Sequence, residues 1–167
     1  MSSRGCVAVG VPLKWEGVYN HCDSYPGGLG SDLWRILSHE RNVEKFCKML
    51  LEHESWAGFL AAALGNEYEH WQDKLHITSE APDPLFTEWV YVVDAERRMI
   101  HILVNKEVGE EDWSKPRIDP PQMRQGRIVD YGRFCYKHML AASVSLDDPE
   151  PDWAKISREK YRDDEED

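Results

Sequence analysis

Apolar residues along this chain recur with two different periods, and the period changes twice. Cys6-Val7-Ala8-Val9-Gly10-Val11 is a short apolar run rich in β-branched residues, and Val18-Tyr19-Asn20-His21-Cys22-Asp23 alternates as a second strand. Pro12 to Gly17 supplies turn chemistry between them, so the N-terminus predicts a hairpin. Tyr25-Pro26-Gly27-Gly28-Leu29-Gly30 breaks both periods with a proline and three glycines and predicts an irregular loop.

The period then becomes helical. Ser31 is a predicted N-cap ahead of Asp32, Leu33 and Trp34. Asn42 caps a second helix in which Val43, Phe46, Cys47, Leu50 and Leu51 form one core-facing stripe. Ser55 opens a third helix carrying Trp56, Phe59, Leu60 and Ala63, and Gly65-Asn66 ends it. Tyr68 to Leu75 fits neither period cleanly, and Ser79 to Pro84 reads as a loop.

Alternation returns in Thr87–Val93 and Arg98–Val104, which flank Asp94-Ala95-Glu96-Arg97 as a second hairpin. Asn105 to Gln125 is a polar excursion marked by Pro120-Pro121. Arg127 to Leu146 holds one or two further strands, with helix the alternative for Phe134 to Ala142. Asp152 caps a short final helix with Trp153 and Ile156, and the like-charge run Asp163 to Asp167 is expected to fray. Strands, helices and strands in blocks predict an α+β fold: a mainly antiparallel sheet of hairpins with a three-helix insertion packed on one face. Residues 1–150 form the single domain, and 151–167 an acidic C-terminal tail.

Composition narrows the function classes. A chain of 167 residues fits one domain, and buries roughly 70% of its unfolded surface, so it needs neither disulfide nor metal to fold. The formal net charge is -11. Between Asp147 and Asp167 ten acidic and four basic residues leave -6, and the rest of the chain carries -5. Such a surface repels phosphate backbones and anionic membranes, which argues against general nucleic-acid or membrane binding. Cys6, Cys22, Cys47 and Cys135 match no zinc spacing. There is no signal-peptide core and no apolar run near ~18 residues, so a reducing cytoplasm with free thiols is expected.

Candidate chemistry concentrates in Tyr19 to Ser31. If Val18 to Asp23 is extended, Tyr19, His21 and Asp23 share one face. His21 is then the candidate proton-transfer group or metal donor, with Asp23 orienting it. Tyr25 lies just beyond, and Arg4 on the neighbouring strand is a candidate anion contact. Gly28, Gly30 and Ser31 would offer backbone N–H groups at a helix start, although the segment lacks the Lys-Ser/Thr ending of a phosphate loop and a full dinucleotide fingerprint. Cys22, between His21 and Asp23, would point away from both on a strand and reads as a small hydrophobe. Ser2 would become the terminal nucleophile on loss of Met1, but its polar setting reads as a flexible end. The seven histidines show no metal-ligand spacing, and no metal or cofactor is expected.

The opening Ser3-Arg4-Gly5, the hairpin after it and Tyr19-x-His21-x-Asp23-x-Tyr25-Pro26-x-Gly28-x-Gly30 resemble a group of small uncharacterised proteins of bacteria, phages and fungi. Trp89-Val90-Tyr91-Val92-Val93-Asp94 resembles the second hairpin of that group, and Ser143-Val144-Ser145-Leu146-Asp147-Asp148 a terminal segment. Of these only the first motif is specific. Many members carry an aromatic residue where this chain has Cys22. The group has no established activity, so the resemblance implies no catalytic residues.

Two functions follow as expectations. One is an interaction or regulatory module that binds another protein through exposed tryptophans, with Trp15, Trp113 and Trp153 the candidates in polar settings, and through its acidic tail. The other is a small-ligand-binding protein or hydrolase-like enzyme with its site at Tyr19, His21, Asp23 and Tyr25. No complete catalytic constellation is visible in the sequence, which tips the balance to the first.

Overall fold

The computed structural model describes residues 3–65, 76–80, 82, 87–110, 123–124, 127–128 and 134–161. Among these residues eight strands run in chain order as β1 (Gly5–Val11), β2 (Lys14–Asn20), β3 (His76–Thr78), β4 (Trp89–Asp94), β5 (Met99–Glu110), β6 (Met123–Arg124), β7 (Arg127–Ile128) and β8 (Phe134–Ser145). The α-helices among them are α1 (Ser31–Ser38), α2 (Val43–Leu51), α3 (Trp56–Ala63) and α4 (Trp153–Arg158). Three of the four expected caps form: Asn42 accepts from Lys45 N, Ser55 from Gly58 N and Asp152 from Lys155 N, whereas Ser31 does not cap α1.

The architecture is α+β, as expected, but the sheet is mixed. Six strands lie in the order β3-β2-β1-β4-β5-β8, and β6 and β7 form a separate pair. The β1–β2, β2–β3, β4–β5 and β5–β8 pairings are antiparallel, whereas β1 and β4 run parallel in register from Gly5↔Trp89 to Val9↔Val93. The cause is topological. After the three helices the chain first adds β3 to the outer edge of β2 and only then crosses to the opposite edge of β1, where β4 runs parallel to it. The segment Phe134 to Ala142, readable either way in sequence, is strand. Tyr68 to Leu75 and Trp113 lie outside the described residues.

The first hairpin turns more tightly than its glycine suggests. Only Pro12 and Leu13 separate the strands, and Lys14 to Gly17 belongs to β2. Gly17 serves the sheet instead: a Cβ there would lie 2.6 Å from Ala8 Cα.

The sheet has two buried faces. On one, Val7, Val18, Tyr91, Val93, Ile100, Ile102 and Val104 pack against Leu33, Leu37, Phe46, Leu50, Trp56 and Phe59, so the helices cover this side. The other carries Cys6, Ala8, Trp15, Tyr19, Ile77, Val90, Val92 and Leu103. This second face is concave. Trp15 of β2 and His138 of β8 have three strands between them, yet their rings meet edge to face at 6.2 Å. Only a strongly coiled sheet brings such distant strands together. A register shift between Ile102 and Leu103 in the β5–β8 ladder supplies local bending.

Candidate functional site

The structure separates the expected site residues into a folded turn and an open rim. β2 stops at Asn20, not Asp23, because Asp23 adopts φ 53° and ends the alternation. From there the chain closes on itself. Asn20 Nδ2 donates to Cys22 O and to Ser24 Oγ, Leu29 N donates to Asp23 O, and Gly28 N to Tyr25 O. Tyr91 Oη, fully buried, donates to Ser24 O at 2.6 Å and ties the turn to the middle of the sheet.

Pro26–Gly30 is not irregular but a single π-helical turn that runs straight into α1. Gly30, not Ser31, is the N-cap of α1, and the Ser31 amide is already spent on Pro26 O and Gly28 O. With Gly28, Leu29 and Ser31 amides all committed, the segment does not offer the anion cradle expected of it. The glycines answer to packing. A Cβ on Gly28 would sit 3.2 Å from Tyr25 Cζ and closer still to the Asp23 carbonyl; one on Gly30 would lie 2.8 Å from Tyr91 Cε1 and 3.2 Å from Trp153 Cζ3. Ser31 Oγ donates to Glu150 Oε1, which also receives Trp153 Nε1 and Arg35. The Trp153 bond, with Arg35 and Ser31 behind it, holds the Glu150 carboxyl below its ordinary range.

The remaining members face the concave side. Tyr19 Oη and His21 Nδ1 are 3.0 Å apart, with Tyr19 buried and His21 exposed. Continuing the Gly5↔Asn20 register sets Arg4 beside His21. Asp23 is exposed and makes no hydrogen bond to His21; Cys22 is exposed, and Tyr25 is half exposed over the glycines. Among the described residues the imidazole–carboxylate pair expected of His21 and Asp23 is not seen, and a group within hydrogen-bond distance of His21 is the Tyr19 hydroxyl.

Sequence reading missed the polar groups farther along. Asn105 and His138 are register partners across β5 and β8, on the concave face by alternation with Leu103. His138 Nε2 donates to the Thr87 carbonyl at 2.6 Å, which fixes Nδ1 as an acceptor. Burial holds this imidazole neutral and lowers its pKa to about 4, against a smaller upward pull from that bond. His138 Nδ1, Asn105 Oδ1, Thr87 Oγ1 and Ser3 Oγ are all buried without a hydrogen-bond partner among the described residues. Four such atoms along one end of a sheet are a concentrated departure from the rule that buried polar groups are satisfied. No spacing in the sequence announces them, because strand curvature assembles the group.

A second polar chain crosses the opposite end. His101 Nε2 lies 3.1 Å from Asp94 Oδ2, and His101 Nδ1 lies 2.8 Å from Ser143 Oγ. Burial would raise the Asp94 carboxyl, but the bonds from His101 and from Arg97 N and Nη1 outweigh it and hold the group below its usual range. The second hairpin, once its register is granted, puts Asp94 near His101; Ser143 enters only with β8.

Among the described residues no group of three or more His, Cys, Asp or Glu is arranged to hold a metal, and no helix is long and apolar enough to cross a membrane. No protein-family model, curated protein or solved structure matches the chain.

Proposed function

We propose that the protein binds a small, largely apolar molecule on the concave face of its sheet. The observation that carries this reading is an apolar concave wall that ends in buried, unpaired hydrogen-bonding atoms. Cys6, Ala8, Trp15, Val90, Val92 and Leu103 supply the wall, and Thr87, Asn105 and His138 the unused polar atoms. Apolar walls with a few placed polar groups are the usual composition of ligand sites, and coiled sheets commonly host them. His138 Nδ1 and Asn105 Oδ1 only accept, so they select a ligand that donates. Tyr19, His21 and Arg4 form the polar rim; Asp23, Tyr25, Gly28, Gly30 and Ser31 shape the turn that backs it.

A thermal-shift panel of small aromatic amides, phenols and indoles on the full chain tests this. A donor-bearing ligand should raise the melting temperature of wild type and have little effect on His138→Leu. Native mass spectrometry of protein purified from its source should show a bound small molecule. A bare chain together with a flat panel would sink the proposal.

One observation favours a protein partner instead. At the tip of the first hairpin Leu13 is 94% exposed, with Val11 beside it. The same strand pair flanks an open groove lined by Lys14, Trp15, Glu16, Thr78 and Ser79. The tryptophans do not carry this reading: Trp15 is buried, and Trp153 packs partly against the core over Gly30. Leu13→Asp should abolish capture of a partner from the native source if this tip is the contact, and leave it unchanged if it is not.

A further inference from the structure

The Asp94–His101–Ser143 chain lies outside the proposed ligand end and is organised as an activating relay. We infer that Ser143 is a nucleophilic hydroxyl that accepts the acyl group of a small activated ester, with His101 as its general base. Three strands contribute one residue each: Asp94 closes β4, His101 sits in β5 across from Val92, and Ser143 sits in β8 across from His101. Burial falls in the order the chemistry requires. Asp94 is 4% and His101 8% exposed, whereas Ser143 is on the surface.

The proton positions follow from the acceptors. An ionised Asp94 carboxylate can only accept, so the bond to it is donated by His101 Nε2–H, and in its base form the ring carries its single proton there. That leaves Nδ1 as the acceptor 2.8 Å from Ser143 Oγ, within reach for taking its proton. Arg97 secures Asp94 from the far side through its amide and its guanidinium. Relays of this kind are recognised by geometry and roles rather than by position in the chain; here the two ring nitrogens exchange places relative to the usual triad, Nε2 facing the carboxylate and Nδ1 the hydroxyl.

The step balances within these groups. Ser143 Oγ attacks the ester carbonyl carbon while its proton passes to His101 Nδ1. The C–O bond to the leaving alcohol breaks, and that alcohol departs with the proton from Nδ1. Water then hydrolyses the Ser143 ester, with His101 again taking and returning one proton. An exposed strand serine suits small, unhindered acyl groups. Ser143 and His101 are the catalytic residues, and Asp94 is a positioning residue.

The test treats the full chain with an alkyl fluorophosphonate. In that reaction Ser143 Oγ bonds to phosphorus, P–F breaks, and the hydroxyl proton goes to His101. Peptide mass spectrometry should find one adduct, on Ser143, and none in Ser143→Ala. Because general-base assistance contributes roughly a hundredfold or more, His101→Gln should slow labelling by about that factor. Asp94→Asn should slow it as well, and Asp94→Glu should recover part of the rate at matched melting temperature, which a purely structural carboxylate would not do. Labelling that is absent, that falls on another serine, or that proceeds at the wild-type rate without His101 overturns the inference. Should His101→Gln fail to fold, the Ser143→Ala and Asp94→Asn/Glu comparisons decide on their own.

Discussion

His138 shows how much one partly buried side chain decides in this protein. It is held neutral at about pKa 4, whereas an unfolded histidine titrates near ~6.5. The unfolded chain therefore takes up the proton first. The sign follows: stability is full above about pH 6.5 and is lost as pH falls toward 4. Integrated over that gap, the loss is roughly 3 kcal/mol. Urea midpoints measured between pH 7 and pH 4 should fall steeply in wild type and more gently in His138→Leu, and parallel slopes would contradict the assignment. Asp94 acts in the other window. Its lowered carboxyl protects the fold until pH drops through its folded pKa. Tyr91 makes the complementary case. Tyr91→Phe keeps the ring but leaves the buried Ser24 carbonyl without its donor, at an expected cost of about 1–2 kcal/mol in the urea midpoint.

Among the elements, the turn after β2 departs furthest from its sequence signature. Helix caps at Asn42, Ser55 and Asp152 were legible because capping is local: a short polar side chain reaches an amide three residues on. The Tyr25–Gly30 segment was not, because proline and glycine usually break helices and here build one turn of π-helix. What decides is contact with Tyr91 and Trp153, both remote in sequence. Asp23 carries the strain of this turn at φ 53°. Asp23→Gly should be neutral or stabilising by up to about 1 kcal/mol, since glycine enters that region freely. Asp23→Val should destabilise by about 1–2 kcal/mol. Equal melting temperatures for the two variants would show that the left-handed conformation is not required.

On the scale of the whole molecule, the hairpins and the helix block were legible, and the order of strands was not. Alternation tells which residues share a face, but nothing in β1 or β4 announces that they lie side by side. The concave face was hidden for the same reason, since Trp15 meets His138 only after the sheet coils. Burial across this assembly also sets thiol chemistry. Cys6 sits in the central strand β1 with its thiol pushed far up by burial, and Cys47 is raised to about 12 by burial with help from Glu44 and Asp94. Cys22 is exposed. A disulfide reagent should modify Cys22 promptly in the native protein and reach Cys6 and Cys47 only at the rate of global opening. Prompt modification of Cys6 would show that the central strands part without unfolding.

The parallel seam between β1 and β4 has a kinetic consequence. Each flanking hairpin closes a loop of a few residues and can form early, but joining the two requires closing a span of some eighty residues that holds all three crossover helices. The last contacts made are therefore the central ones. Cavity-forming substitutions at Val7 or Tyr91 should mainly accelerate unfolding and leave the refolding rate nearly unchanged, while those inside either hairpin should slow refolding.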